Sequence, residues 1–229
     1  ITHQLIGALP RWRGSTVIFD PDFLKTVWYS AARILGGFFT ALTLGTVLGW
    51  VASRFWVVET LLRPITAVIK ATPVASFIIL VLLWFSGKNL SVIISMLMVF
   101  PVIYMNVLEG IRSADKKLLE MAQVFRLSVS KKLLYIYLPA VAPFFVSACS
   151  VSLGLCWKSG IAAEVIGTPD GSIGAVFYQA KIFLQTSELL AWTVVVVAVS
   201  VAFEKLFMLL LRLILKKLKM EDVLNGKRA

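Results

Sequence analysis

The sequence predicts an all-α protein, a bundle of transmembrane helices, and three observations support this fold class. Of the 229 residues, 59% are hydrophobic and only 15% are charged, whereas a soluble chain carries nearer a quarter charged residues. The apolar residues form blocks long enough to cross a bilayer, which takes about 20 residues per helix. Lys and Arg cluster at the ends of these blocks, so the net charge of +11 indicates membrane topology and argues against nucleic-acid binding.

Five apolar blocks follow one another along the chain. The predicted spans are residues 27–50, 60–85, 90–109, 133–157 and 188–211. A turn-rich segment precedes the first span, and a polar, basic island at 110–132 separates the third from the fourth. A glycine-containing loop joins the fourth span to the fifth. We predict a single membrane domain over residues 1–229.

Prolines interrupt three of these spans. Pro64 and Pro73 lie in the second, Pro101 in the third, and Pro139 and Pro143 in the fourth. Each proline removes a backbone hydrogen bond and bends a helix. In lipid, such breaks persist where neighbouring helices or a water-filled cavity satisfy the freed carbonyls. Packing kinks and a pathway that opens and closes are both open interpretations.

Positive charge is distributed unequally between the two sides of the predicted membrane. Fourteen Lys and Arg residues lie on the side of the polar island and the C-terminus, and six lie on the other side. The positive-inside rule therefore places residues 110–132 and the C-terminus in the cytoplasm. Five aromatic residues fall at the opposite ends of their spans: Trp28, Tyr29, Trp84, Trp157 and Trp192. They predict an outer aromatic belt.

Residue types that carry metal or redox chemistry are scarce. Cys149 and Cys156 lie seven residues apart in one apolar run, so on a helix about 10 Å separates their Cα atoms. That distance is too long for a disulfide, and we expect two buried apolar side chains. The single His3 and the absence of Cys/His ligand spacing predict no metal site. No P-loop sequence is present, so we expect no cofactor, no enzyme activity, and ATP only on a partner.

The first half of the polar island has the pattern of an amphipathic helix over residues 113–126. Ser113 is the predicted N-cap, with Asp115 in the first turn, where negative charge is favourable. Leu118, Ala122 and Phe125 fall on one face of this helix.

A second short helix is predicted after Ser128, with Val129 and Leu133 packing inward. Two small helices at an angle would fit a groove on a partner protein. A plain amphipathic linker on the inner leaflet explains the periodicity equally well.

The spacing across the island resembles the EAA loop of ATP-binding-cassette importer permeases. That motif is usually written Glu-Ala-Ala, three residues, Gly, nine residues, Ile, any residue, Leu-Pro. Five positions fit, namely Glu120, Ala122, Ile136, Leu138 and Pro139, while Met121 replaces an alanine and Arg126 the glycine. Glycine tolerates a positive φ at little cost. The chain therefore turns at Arg126 with an ordinary backbone or holds this arginine in a strained one.

The resemblance implies that residues at about 113–130, called the coupling loop below, receive the stroke of a separate ATPase. It assigns these residues to that contact: Ala114, Leu118, Glu120, Met121, Ala122, Phe125, Arg126 and Ser128.

More of the chain resembles one branch of these permeases, the nitrate/taurine/sulfonate-type importers, over about residues 23–185. The likeness includes Arg33 with the following Gly pair, Arg63-Pro64, and Gly171-Ser172-Ile173-Gly174. It implies the type I importer fold, which normally has six spans with both ends in the cytoplasm. Since five spans place residue 1 outside, we expect a further helix upstream of it.

The resemblance also implies the partners and the cargo. Two copies of the chain would form a pathway in the cell (inner) membrane, two ATPase subunits would hold the coupling loops, and an extracytoplasmic binding protein would deliver a small anion such as a sulfonate, taurine or nitrate. The candidate pathway residues are Lys70, Thr72, Pro73, Asn106 and Glu164. Lys70 could instead snorkel to the inner surface, and Glu164 could cap a re-entrant turn or gate the outer side.

Two other classes of function stay open on the sequence alone. A secondary transporter would need ion-binding groups within its spans, and the chain has few; it also shows no internal repeat of the kind found in many such transporters. A structural or assembly protein of the membrane would make the island at 110–132 incidental.

Overall fold

The computed structural model describes residues 21–217, which are helical and contain no strand within that range. The helices are α1 (Pro21–Arg54), α2 (Trp56–Ala71), α3 (Val74–Trp84), α4 (Gly87–Arg112), α5 (Lys116–Val124), α6 (Val129–Lys132), a π-helical turn (Leu133–Tyr137), α7 (Leu138–Gly167), α8 (Ile173–Ile182) and α9 (Thr186–Lys217). The predicted turn-rich start, the expected upstream helix and the basic tail after residue 217 lie outside the described residues.

The predicted fold class, an all-α transmembrane bundle, is confirmed. Helices α1, α4, α9 and the continuous stretch from α6 through α7 are each long and apolar enough to cross a membrane. The pair α2–α3 supplies a fifth crossing if its two bent halves count as one span.

Helix α4 lies at the centre, packed along α1 on one side and along α7 on the other. The main core joins Ile34 and Phe38 of α1 to Ile103 of α4 and Leu153 of α7. Gly160 of α7 lies where the three helices come closest, since a Cβ atom there would sit 2.6 Å from Ile34 Cγ1 and 2.7 Å from Ser95 Oγ. Small residues at helix crossings allow such close approach in membrane proteins.

Contacts between helix termini define two ends of the bundle. At the loop end, which carries the coupling loop, Glu59 at the start of α2 pairs with Arg112 at the end of α4. At the opposite end, called the far end, Ser30 of α1 bonds to Glu164 of α7, and the ring of Phe23 lies 5.3 Å from that of Trp192. The chain therefore alternates between the two ends as a multi-span protein must.

The predicted second span over 60–85 consists of two helices that meet at 109°, so the interruption expected at Pro73 is present. The break falls at Thr72 and Pro73, which both have extended backbone conformations. A residue before proline is disfavoured in the helical region, which accounts for the conformation of Thr72. Pro64 and Pro101, by contrast, remain inside α2 and α4, so the prolines are not equivalent.

The predicted fourth span ends too early, and the loop after it is partly helical. Helix α7 continues past residue 157 to Gly167, and Ile173–Ile182 forms α8. The glycines suggested a loop, yet Gly160 serves close packing. The chain reverses only at Thr168 and Gly171, whose φ angles are +40° and +74°.

The residues of the predicted outer aromatic belt differ in their exposure. Trp28 and Trp84 are exposed on the surface, whereas Trp157 and Trp192 are buried among other helices. Trp157 is interior because α7 extends well beyond it. The two cysteines are buried and free, as predicted.

Candidate functional site

The coupling loop begins with a different cap from the one predicted. Asp115 is the N-cap of α5, and its carboxylate accepts a hydrogen bond of 2.8 Å from the backbone N–H of Lys117. Ser113 instead ends α4: its N–H donates to the carbonyl of Glu109, and its hydroxyl donates to the carbonyl of Gly110 at 2.8 Å. Residues of the short link thus supply capping hydrogen bonds both at the end of α4 and at the start of α5.

Arg126 terminates α5 in the strained backbone conformation. Its φ is +47°, in the left-handed region that favours glycine. The N–H of Leu127 donates to the carbonyl of Ala122 at 2.9 Å, and the N–H of Arg126 donates to that of Gln123 at 3.1 Å. This pair of bonds is a Schellman motif, so the chain keeps the glycine-type turn although it carries arginine there.

The base of the coupling loop is a small apolar cluster. Ala114, Ala122 and Ile136 are buried together, with Leu119 and Leu127 packed against them. Two of the matched motif positions, Ala122 and Ile136, therefore anchor the loop to the start of the next span.

The outer surface of the loop is apolar as well as charged, which corrects the predicted packing. Phe125 and Val129 are 71% and 79% exposed, and Leu118 and Leu133 are exposed too. The inward packing predicted for Val129 and Leu133 is therefore wrong. Glu120 and Met121 are also exposed, and within residues 21–217 Glu120 and Arg126 form no ion pair. The helix after Ser128 begins where predicted.

The Leu138-Pro139 pair directly follows the π-helical turn. The N–H of Leu138 donates to the carbonyl of Leu133, five residues earlier. Proline has no N–H and its ring crowds the carbonyl four residues before it, and a widened turn relieves that crowding. The span therefore starts without interruption after α6.

Four of the five candidate pathway residues lie around the α2–α3 break and the helix that it faces. Thr72 and Pro73 form the break, and the Thr72 hydroxyl donates to the carbonyl of Val68. Lys70 lies 3.5 Å from the sulfur of Met105 on α4, the residue before Asn106. The amide of Asn106 donates to the carbonyl of Val102 within its own helix. The transport role of these residues remains a prediction.

Glu164, the fifth, is at the far end and is fully buried. Its Oε2 atom accepts hydrogen bonds from Ser30 Oγ at 2.6 Å and from the N–H of Gly174 at 3.3 Å. The same Ser30 hydroxyl accepts from the N–H of Ile173 at 2.9 Å. Two side chains from α1 and α7 thus cap the N-terminus of α8. This geometry agrees with the interpretation of Glu164 as a capping residue.

Ser30, Glu164, Ile173 and Gly174 form the far-end cluster. This cluster is tightly packed, and one of its polar atoms lacks a hydrogen bond. A Cβ atom at Gly174 would overlap the side chain and backbone of Glu164. Arg33 lies near, held by Tyr29 and by Ser91 of α4. The second carboxylate oxygen, Oε1 of Glu164, has no hydrogen-bond partner in the described part of the chain.

Sequence reasoning missed two residues that tie helices together. Ser30 carried no motif or charge that could have singled it out. Glu59 did carry a signal, because it is the only acidic residue between Asp22 and Glu109. In the structure it contacts Arg112 and Arg63.

The fold and this site together define a class: a multi-span helical membrane protein with a compact two-helix loop ahead of a proline-initiated span. Within that class, the chain belongs to the family of binding-protein-dependent transport system inner membrane components, which it matches over residues 41–220. The predicted resemblance to importer permeases is thereby confirmed.

Individual proteins agree with the family assignment. The chain is 30% identical to the aliphatic sulfonates transport permease protein SsuC of Bacillus subtilis, over 87% of this chain and 72% of that protein. It is 26% identical to the taurine transport system permease protein TauC of Escherichia coli, over 88% of this chain and 74% of that protein. The crystal structure of an amino acid ABC transporter with histidines has the same fold, with a TM-score of 0.59 at 17% identity, over 89% of this chain and 100% of that one.

Proposed function

We propose that this chain forms the translocation pathway of an ATP-driven importer for a small anionic solute. In this proposal two copies line the pathway, two ATPase subunits bind the coupling loops, and a binding protein delivers solute at the far end. The observation that carries the proposal is the coupling loop, which is anchored at its base by Ala122 and Ile136 and apolar on its exposed surface.

The exposed apolar side chains of the loop favour a protein partner over a free surface. A loop surrounded only by water would gain nothing from exposing Phe125 and Val129, whose burial would contribute about 1.5–3 kcal/mol each. Burial at an interface explains them, and aromatic side chains are enriched at such contacts. Glu120 and Arg126 add charges that have no partner within residues 21–217 and could pair across that interface.

The choice of an anionic solute rests on the relatives. Two of them are named for aliphatic sulfonates and for taurine, compounds that share a sulfonate group. Lys70 at the helix break supplies a positive charge close to the proposed pathway. An ionisable residue inside a span usually faces the protein interior or water, which suits this role.

The proposed orientation places the loop end in the cytoplasm. Basic residues of the described chain concentrate at that end, in the loop and at the end of α9, as the positive-inside rule requires. A Lys116→Cys variant, with Cys149 and Cys156 replaced, tests it in intact cells. Labelling of this position by an impermeant thiol reagent from outside would reverse the assignment.

The test of coupling is the Glu120→Ala variant in the reconstituted complex of permease, ATPase and binding protein. We expect the permease to fold and insert normally, while transport and binding-protein-stimulated ATP hydrolysis fall together. Glu109→Ala is the matched control, since Glu109 is an exposed acid at the same end but outside the loop. Full stimulation and full uptake in Glu120→Ala would support the amphipathic linker and overturn the docking assignment.

A further inference from the structure

An interhelical ion pair links the start of the broken helix pair to the helix that leads into the coupling loop. Arg112 Nη2 donates to Glu59 Oε2 at 2.5 Å, and the Glu59 side chain is only 13% exposed against 48% for Arg112. Arg63, one turn further along α2, is a second and looser partner of Glu59 at 3.8 Å. The bond to Arg112 is the shorter of the two and the one that crosses between helices.

Arg112 is connected to the coupling loop by a short and well-capped link. It is the last residue of α4, and α5 begins at Lys116. Between them, Ser113 caps α4, Ala114 is buried in the base of the loop, and Asp115 caps α5. Because hydrogen bonds cap both helix ends, the link between them is held in one conformation, and a displacement of α5 should also displace Arg112.

Glu59 is connected to the candidate pathway through α2. Val58 and Leu62 pack against Tyr104 and Leu108 of α4, so α2 already lies along α4. At its other end α2 stops at the break of Thr72 and Pro73, where it meets α3 at 109°. A shift of the start of α2 is therefore carried along a continuous helix to the break.

We propose that Glu59 and Arg112 are positioning residues that transmit movement of the coupling loop to the α2–α3 break. This inference rests on the proposed function, in which an ATPase moves the loop. Apolar packing between α2 and α4 resists separation of the two helices. It still allows one helix to slide along the other, because apolar contacts are not directional. A charge-assisted hydrogen bond has a defined geometry and fixes the register of the two helices at the point where the loop begins.

The pair is suited to transmission more than to stability. Solvent reaches the Arg112 half of the pair, which is 48% exposed, and such screening keeps the contribution of an ion pair to the free energy of folding small. Removing it should therefore leave the folded complex intact while loosening the link between the two helices. Mutations at such a link change the coupling between distant sites by about two- to thirtyfold.

The experiment measures, in reconstituted complexes, solute imported and ATP hydrolysed with and without loaded binding protein. We expect Glu59→Gln and Arg112→Gln each to reduce solute imported per ATP by at least about twofold and by up to about thirtyfold, with the thermal midpoint of the complex unchanged. The double variant should be no worse than either single one, because both remove the same bond. Arg112→Lys, which keeps the charge, should recover part of the coupling.

Arg63→Gln is the matched control, because it removes the other partner of Glu59 but leaves the interhelical bond in place. It should retain the wild-type ratio of transport to ATP hydrolysis. An unchanged ratio in Glu59→Gln, additive losses in the double variant, or an equal loss in Arg63→Gln would each overturn the inference. A wild-type complex without stimulated ATP hydrolysis would instead refute the proposed function, so the two failures are distinguishable.

Discussion

The two ends of the bundle differ in which side chains they bury: polar side chains are buried at the far end, and apolar side chains are exposed at the loop end. At the far end, Glu164 and Ser30 are fully buried and join α1, α7 and α8 through hydrogen bonds within the chain. At the loop end, Phe125 and Val129 face outward, and the described residues provide no ionic partner for Glu120. The far end is bonded within the described chain apart from Oε1 of Glu164, whereas the loop end exposes apolar side chains that suit the protein partner proposed above.

This difference explains why the same residue types serve different purposes. A buried carboxylate needs hydrogen-bond donors, and at the far end the Ser30 hydroxyl and the N–H of Gly174 both donate to Oε2 of Glu164. An exposed carboxylate such as Glu120 is solvated and needs no internal partner. Substitutions at the far end should therefore affect folding, and those at the loop end should affect association and coupling.

The largest effect is expected from Glu164→Ala. It leaves the Ser30 hydroxyl and the start of α8 without their acceptor, and each buried group left unpaired costs about 1–3 kcal/mol. Thermal unfolding of the detergent-purified protein should show a clear drop in the midpoint. Glu164→Gln keeps an acceptor oxygen and should lose less. If Glu164→Ala unfolds at the wild-type temperature, the far-end cluster does not hold these helices.

A smaller effect on folding, but a strong one on association, is expected from the double variant Phe125→Ser and Val129→Ser. Both side chains are exposed, so the unfolding of the isolated permease should change by no more than about 0.5 kcal/mol. Co-purification with the ATPase should weaken by tenfold or more, as for about 2 kcal/mol at a binding hot spot. Undiminished co-purification would show that this apolar surface is not the contact.

The smallest effect is expected from Arg126→Gly. Glycine adopts the left-handed conformation that Arg126 holds at φ +47°, and relieving it should stabilise the end of α5 by about 1 kcal/mol. Amide exchange at Leu127 should slow, and stimulated ATP hydrolysis should fall less than in Glu120→Ala. Arg126→Ala removes the guanidinium but keeps the strain, so it separates the two contributions. Faster exchange in Arg126→Gly would contradict the strain argument.

Much of the loop could be predicted from sequence, although its packing could not. The approximate positions of the two short helices follow from local spacing, whereas a turn at residue 126 was expected only from the resemblance to the importer motif. Periodicity grouped Phe125 with Ala122 on one face, but in the structure Ala122 is buried with Ala114 and Ile136 while Phe125 is exposed. Ala114 and Ile136 come from the flanking segments, so only the folded arrangement decides which side of the helix they cover.

The sequence by itself determined that this protein is a helical membrane bundle, roughly where its spans lie, and where the coupling loop falls. These properties are local, since a long apolar run in lipid must satisfy its own backbone hydrogen bonds within a helix. The tertiary structure alone decided that Pro73 breaks a span while Pro64 and Pro101 do not, that Trp157 and Trp192 are interior, and that Glu164 meets Ser30. Glu164 and Ser30 lie 134 residues apart in the chain, and their contact depends on how α1, α7 and α8 pack together, which no local pattern encodes.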